Sequence, residues 1–486
     1  MIKIFRNGKV DSGASYDGEK MPGDLSSMDT YSRDANGLVS NSYDTLSKRS
    51  MTLYHSYGPA KAAVNKQVEY AIGPGLMFRS QPDYSSIPNM TRETAKEFGK
   101  NWQKIVHYYY EKFNFYEKQS VLFRGALTSG DSLEFFIREN GNLVDIIDMA
   151  GNQIDSDYDD ELTDGQGFTL GVKHDKYLRP KGIMKTDGVE ILFKTKAGST
   201  QLIQFFIKDL PSQLRGYPLV YSVINLAKND DRHNDATVQR AVLESILVGS
   251  FETESSNPAA QTANLAKTAK AYKAGGGLTA PPEGIFNKIA NAFKMGPGNI
   301  FTFKKGEKLN FNDLKTPSPN FAPFKEAIIN YIAAGTGTPP EVILSRYSTS
   351  FTAHKGALND FIKSFMLKRK AFARRVMMPT NVEIAKQAIK DGLISMPGFF
   401  DSPIIQSAYM QGNFLGPITG TINPIQELRA DKIAVEEGFK QRGDVAAQYG
   451  NEWDNHINEW HEQENEWWEG NPAKAIFDKE NGGETV

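Results

Sequence analysis

The residues of this chain that could do chemistry are few and scattered. It carries no Cys and seven His in 486 positions. That excludes disulfides, thiolate metal sites and cysteine nucleophiles. His456 and His461 stand five apart, off the i, i+4 face that a helical zinc pair needs, and read as exposed tail histidines. Neither a phosphate-cradling G-x-x-x-x-G-K-[ST] nor a G-x-S-x-G nucleophile elbow is present. Gly165-Gln-Gly167 with Gly171 is one residue too long for a dinucleotide fingerprint, and an acidic run precedes it where a strand should be. Asp155-Ser-Asp157-Tyr-Asp159 imitates the start of a calcium loop. Such a loop then requires Gly at 160 and Glu at 166, where this chain has Asp160 and Gln166. A solvated acidic loop is the better reading. The aromatic run His107-Tyr-Tyr-Tyr110 with Phe113, Phe115 and Tyr116 could stack bases, but core packing accounts for it more simply. The expectation is no enzyme, no cofactor and no metal.

One cluster survives. Lys363, Lys368, Arg369, Lys370, Arg374 and Arg375 fall within one stretch that holds no acid between Asp360 and Glu383. At helical spacing Phe361, Ile362, Phe365, Met366, Phe372 and Val376 form an apolar face, leaving a basic one opposite. That face could meet phosphates without regard to base sequence, pair with acids of a neighbouring subunit, or be solvated. The formal net charge of −2 excludes a uniformly basic coat.

The elements that must position this cluster follow from periodicity and breakers. Residues 1–45 are rich in Ser, Asp, Gly and Asn and read as a flexible arm. A short helix, Ser47 to Tyr57, stops at Gly58-Pro59. A second, with Ala60, Val64, Val68 and Ile72 four apart, stops at Gly73-Pro74-Gly75. Thr91 to about Asn114 is helical. From about Val121 to Lys208 the period changes to two, with strands at Leu133–Ile137, Val144–Ile147, Phe168–Lys173 and Gly188–Phe193. Leu219 to Val248 reads as a long helix with a wholly polar middle, Lys228 to Asp235. Residues 251–300 look like an inserted module, followed by a strand pair at Ile300–Phe303 and Leu309–Phe311. Helices return at Phe321–Ala334, at about Thr352 to Met378 and from Pro424 to about Trp468. An acidic tail closes the sequence, with ten acids from Asn451 onward. The fold class is α+β. No run approaches 18 apolar residues, so no membrane span is expected, and the start lacks the apolar core of a signal peptide.

In this order the segments resemble the lambda-type family of phage portal proteins. The resemblance rests first on Leu46 to Ala60 with Val68-Glu-Tyr-Ala-Ile-Gly-Pro-Gly-Leu76, on Arg215-Gly-Tyr-Pro218, and on Phe303-Lys-Lys-Gly-Glu-Lys-Leu-Asn-Phe311. It is most specific at Pro319-Asn-Phe-Ala-Pro-Phe324, Ile332-Ala-Ala-Gly-Thr-Gly-Thr-Pro-Pro-Glu-Val-Ile-Leu344 and Thr349 to Leu358. Gly416-Pro417, Asn423 to Lys432 and Glu437-Gly438 extend it. His354 and Lys355 depart from the family, which usually has a small residue and often Arg there.

The resemblance implies a portal ring of about twelve subunits at one capsid vertex. Double-stranded DNA would be packaged and ejected through its centre, with no sequence preference. Implied divisions are an arm at 1–45, an α/β wing at 46–210, a stem helix at 211–249 and a clip at 250–318. A second stem helix at 319–336, a channel loop at 337–352, a wing or backing helix at 353–400, a helical crown at 401–470 and an acidic tail at 471–486 follow. Ser345, Arg346, Tyr347, Ser348, Thr349 and Ser350 would line the channel. Lys355, Lys363, Lys368, Arg369, Lys370, Arg374 and Arg375 would face DNA or the next subunit. Implied partners are the terminase large subunit, a head-tail adaptor and the major capsid or scaffolding protein, with no membrane. Assembly would occur in the host cytoplasm, and the product would sit in the virion. The competing classes are a DNA-binding head protein that forms no ring and a nuclease or protease.

Overall fold

The structure, a computed structural model, describes residues 36, 43–162, 165–246, 250–253, 307–310, 321–346, 351–417 and 424–448, with 457, 460, 461 and 463–465 near the end. The chain divides into two compact units, Met1–Lys228 with Ile328–Val486, and Asn229–Ala327.

In the larger unit, helix α1 (Tyr43–Ser56) and α2 (Gly58–Ala71) are separated by Tyr57, which takes an extended conformation ahead of Pro59. Strand β1 (Met77–Ser80) leads to α3 (Arg92–Lys112). Thr91 and Thr94 cap α3 reciprocally, each side chain bonding the other's backbone N–H. Asn114, in the left-handed region, turns the chain into α4 (Phe115–Ser129). Here the period-two reading from Val121 is wrong. Phe115, Gln119, Leu122, Phe123 and Ala126 recur at helical spacing and are buried.

Strands β2 (Ser132–Glu139) and β3 (Asn142–Ala150) form a hairpin. Five short strands follow as an antiparallel meander: β4 (Asp160–Glu161), β5 (Gly167–Thr169), β6 (Val172–His174), β7 (Pro180–Met184) and β8 (Glu190–Leu192). The expected strand Phe168–Lys173 is therefore a hairpin, folded back at Leu170 and Gly171, both with positive φ. Strand β9 (Leu202–Phe205) then joins the first hairpin in the order β3-β2-β9. One face of that sheet (Phe136, Ile146, Ile203, Phe205) enters the main core with α2, α3 and α4. Leu133 and Leu202 on the other face pack with Ile154 and Ile183 of the meander.

The long helix foreseen from Leu219 begins later, as α5 (Ile224–Ile246), after a 3₁₀ turn at Tyr221–Val223. The Leu219 N–H donates to the Leu127 carbonyl at 2.8 Å, and the Tyr221 and Val223 N–H groups return to Pro218 and Val220, three residues back rather than four, so the entry winds as a tighter turn before α5. Its polar middle is partly compensated: buried Asp230 accepts from Lys325 Nζ at 2.6 and 2.5 Å. Strands β10 (Ser250–Thr253) and β11 (Glu307–Asn310) pair antiparallel. The expected partner at Ile300–Phe303 lies outside the described residues. Helices α6 (Phe321–Thr336) and α7 (Pro340–Leu344) follow.

The basic stretch belongs to a rod of α8 (Phe351–Phe372), one π turn (Ala373–Met377) and α9 (Met378–Lys390). The helix expected to end at Met378 thus continues to Lys390. Pro379 explains the π turn. It has no N–H to donate, and in an α-helix its ring would strike the Arg375 carbonyl. The wider turn instead sends the Met378 N–H to the Ala373 carbonyl. Helix α10 (Pro403–Met410) and strand β12 (Gly412–Leu415) bring the chain back to pair antiparallel with β1. Helices α11 (Pro424–Glu436) and α12 (Arg442–Gln448) end the described elements.

Arg215 joins the parts. Its Nε donates to Asp131 Oδ2 at 2.7 Å, Nη1 to the Leu170 carbonyl at 2.8 Å, and Nη2 to the Gly151 carbonyl at 3.1 Å. Tyr43 OH donates to the same Asp131 oxygen, and its ring lies 4.2 Å beneath the guanidinium. Asp131 Oδ1 accepts from Gln204 Nε2 and the Gly216 N–H. Burial pushes the Tyr43 phenol far above its usual value. Burial alone would lower Arg215, but the Tyr43 and Asp131 oxygens hold it above its usual value. A Cβ on Gly216 would lie 2.0 Å from the Gly130 carbonyl oxygen, so the Arg-Gly pair is a close-approach device. Asn36 donates to the Ser212 carbonyl and accepts from the Leu214 N–H. The arm read at 1–45 is thus tied down at Asn36 and Tyr43, both buried.

Replacing Asp131 with Asn leaves the buried guanidinium uncompensated and should cost about 3–5 kcal/mol, read from urea midpoints. A second prediction concerns Glu134. Alternation along β2 puts it on the main-core face, where Oε1 accepts from Thr380 Oγ1 at 3.0 Å and Oε2 has no partner. Burial raises its pKa to about 8, against smaller opposing effects of Thr380 and the Lys118 charge. The folded state therefore keeps this proton where the unfolded state loses it. The stability so gained is complete below the usual 4.5 and is lost as pH rises toward about 8. Glu134→Gln should flatten that slope and leave the variant more stable than the native chain at pH 8.

Candidate functional site

The expected channel residues hang from a built root. The turn Gly337-Thr338-Pro339 between α6 and α7 is held by Gln67 of α2. Its Nε2 donates to the Thr336 carbonyl at 2.7 Å and to Thr338 Oγ1 at 3.0 Å. Gln67 Oε1 accepts from Lys368 Nζ of α8 at 2.5 Å. Gln67, Thr336 and Thr338 are all buried. One amide thus connects the segment entering the loop to the helix leaving it. At the end of α7 Ser345 takes φ +50 and the Arg346 N–H returns to the Glu341 carbonyl. Both residues are exposed. Tyr347, Ser348, Thr349 and Ser350 lie outside the described residues, as does the side chain of Lys355.

The basic face divides in two. Lys368, Arg369 and Arg375 serve the chain's own packing. Arg369 donates from Nε to the Ala71 carbonyl and from Nη2 to the Tyr70 carbonyl, each at 2.7 Å, closing the C-terminus of α2. Arg375 Nη1 donates to the Phe206 carbonyl at 2.7 Å, with its guanidinium 4.6 Å from that ring. Burial lowers all three: Lys368 to about 8, Arg369 to about 10, and Arg375 also below its usual value. Lys363, Lys370 and Arg374 are exposed. They fall seven and then four apart, so they share one face of the rod with exposed Leu367. Lys363 reaches Asp360 one turn away at 3.3 Å.

The remaining candidates resolve by placement. Tyr109 and Tyr110 are core residues, bonded to Asp391 and Asn381, while Tyr108 is exposed. In the Asp155–Asp159 loop, Asp155 Oδ1 accepts from the Asp157 N–H and Asp159 Oδ1 from the Leu170 N–H, so two of the three carboxylates brace turns. Among the described residues no group of three or more His, Asp or Glu could hold a metal, and no helix is long and apolar enough to cross a membrane. Sequence reasoning missed Gln67, which falls just before the Val68–Leu76 stretch that carries the family resemblance and so outside every stretch singled out for it.

The profile of the family described as phage portal protein, lambda family, matches residues 22–369, which include the root, the loop and most of α8. The portal protein of Escherichia phage N15 is 22% identical over 297 residues, covering 59% of this chain and 54% of that protein. Portal protein B of Escherichia phage lambda is 21% identical over 264 residues, covering 53% of this chain and 48% of that one. The chain spans about half the length of these curated relatives. Among solved structures, a chain from the virion of a native gene transfer agent particle aligns with a TM-score of 0.40 at 14% identity, over 83% of this chain and 92% of that chain. One from the neck of the native particle, computed with C12 symmetry, gives 0.39 at 14% identity, over 83% and 93%. On the match over residues 22–369, this chain belongs to the lambda family of phage portal proteins.

Proposed function

We propose that the protein is the portal of a tailed bacteriophage, a closed ring at one capsid vertex through which double-stranded DNA is packaged and ejected. The family match over 22–369 carries this reading. Residues 46–210 form the wing, 211–249 and 319–336 the stem, and 250–318 the clip where the terminase large subunit and then a head-tail adaptor dock. Residues 337–352 form the channel loop, 353–400 the backing helix and 401–470 the crown, facing capsid or scaffolding protein. Residues 1–45 and 471–486 are the terminal extensions. The subunit number is about twelve. The ring assembles in the host cytoplasm and remains in the virion, and the protein acts as a conduit, without catalysis.

The physics of a conduit supports the assignment of Ser345–Ser350 to the channel. A channel must hold DNA loosely, because many tight phosphate contacts would stall movement. Ser, Thr and Tyr with a single Arg offer few such contacts, and Gln67 fixes the root from which they extend. Among the described basic residues of the rod, Lys363, Lys370 and Arg374 are exposed and so available to DNA or to the next subunit.

Purified protein should run as a closed ring by light scattering and show a central hole in negative stain. A chain that stays monomeric at high concentration and moderate salt would overturn the reading. Within the ring, Lys370→Gln with Arg374→Gln should weaken DNA association equally for all sequences and make its salt dependence shallower. Arg369→Gln should instead leave DNA binding unchanged and cost about 1–3 kcal/mol of stability, by abandoning the Tyr70 and Ala71 carbonyls.

A further inference from the structure

The five-stranded meander has two chemically opposite ends. Its register puts the β4–β5 and β6–β7 turns at one end. The β5–β6 and β7–β8 turns, with the loop entering β4, lie at the other. At the first end the exposed described side chains include Lys176, Arg179, Lys181, Lys194 and Lys196. Tyr177 stands among them, 67% exposed, with Lys176 Nζ 5.1 Å and the Arg179 guanidinium 5.2 Å from its ring centre. Asp175 makes this tip rigid. Its Oδ1 accepts the Tyr177 and Arg179 N–H groups at 3.0 Å each, and Oδ2 takes Arg179 Nε at 2.7 Å. That acid is consumed by its own loop. The tip is a preorganised aromatic-cation surface, the chemistry enriched at binding hot spots.

The opposite end is acidic. Asp157, Asp159, Asp160, Asp187 and Glu190 are exposed there. The cations on the same strands, Lys173 and Lys185, are already paired with Glu190 and Asp187. Lys48 of α1 is bonded to Asp44 and also feels the charge of Asp157. Within the sheet Lys173 and Lys185 take up Glu190 and Asp187, and Asp175 takes up Arg179 with Lys181 at 3.9 Å, so the described charge left over is Asp157, Asp159 and Asp160 at one end and Lys176, Lys194 and Lys196 at the other. It can be matched between copies joined head to tail, which is the heterologous contact a ring requires.

We propose that the Tyr177 tip of one subunit docks on the Asp157–Asp160 end of the same sheet in the next. This rests on the ring reading above and names one of the surfaces that closes the ring. The occupant is a second copy rather than a nucleic acid. Two cations already lie over the Tyr177 ring, so a base would have to displace one to stack, whereas carboxylates meet the cations and the phenol edge directly.

Because the chain has no Cys, cross-linking has no background. Tyr177→Cys with Asp157→Cys in one chain, treated with a short bis-maleimide, should give a covalent ladder up to the full ring, and each single variant should stop at dimer or below. In parallel, Lys176→Glu with Lys181→Glu should weaken ring association about tenfold or more, as should Asp157→Lys with Asp160→Lys, through like-charge juxtaposition. All four changes together should restore it. Rings that form normally yet give no ladder and ignore the charge reversals overturn this contact and leave the portal reading standing. Added DNA displacing the ladder would assign the tip to nucleic acid and overturn it too. A wild-type chain that forms no ring at any salt removes both.

Discussion

Arg215 is a cation almost wholly buried, and much of the larger unit is arranged to make that tolerable. A bare guanidinium in a protein interior costs several kcal/mol, so every N–H must find an acceptor and the charge must find a carboxylate. The acceptors come from the start of β2, the end of β3 and the turn between β5 and β6, with the Tyr43 ring of α1 beneath. The requirement is mutual. Asp131 is equally buried and fills its second oxygen from Gln204 on β9 and the backbone of Gly216. Two sheets and the first helix therefore acquire a common origin, set by charge and not by apolar packing alone.

Such a node is hard to read in advance. Arg215-Gly-Tyr-Pro218 stands out as a motif, but its partners lie at positions 43, 131, 151 and 170, and nothing local names them. Local signals fared well where apolar spacing and breakers agree, as in α2 and α3. They failed at α4 because Gln119 occupies a core position. Its amide is buried to accept the Leu76 N–H at 2.6 Å, so a polar letter interrupts the helical pattern. They failed at Phe168–Lys173 because Leu170 takes a left-handed conformation that its side chain does not advertise.

The basic stretch shows the same limit at the site. Spacing placed six cations in one helical stretch opposite an apolar face, whereas Lys368, Arg369 and Arg375 turn inward and Met366 of the apolar set is exposed. Whether each meets solvent or a carbonyl depends on residues some 300 positions away, as the contacts of Arg369 with Tyr70 and Ala71 illustrate. The division has a physical logic. Arg369, which closes the end of α2, and Arg375, bound to the Phe206 carbonyl just beyond β9, fix the rod, while the lysines and arginine left on its outer face can change without loosening it. The root of the loop obeys the same economy, with one glutamine satisfying three groups from two other elements.

The π turn at Ala373–Met377 carries a further consequence, one of phase. Phe372, Val376, Thr380, Ile384 and Ala388 are all buried and follow one another at intervals of four. In an unbroken α-helix that spacing precesses by about 40° per step, so by Ala388 the buried face would have wound nearly to the far side. One extra residue in the wide turn winds it back by about 100°. The proline that forces the π turn thus acts as a rotational correction, letting one rod keep the same neighbours along its whole length. Residue count through this segment is consequently as constrained as residue identity: removing a single position from the wide turn would rotate everything beyond it, Glu383 and Gln387 included, away from the strands they hold.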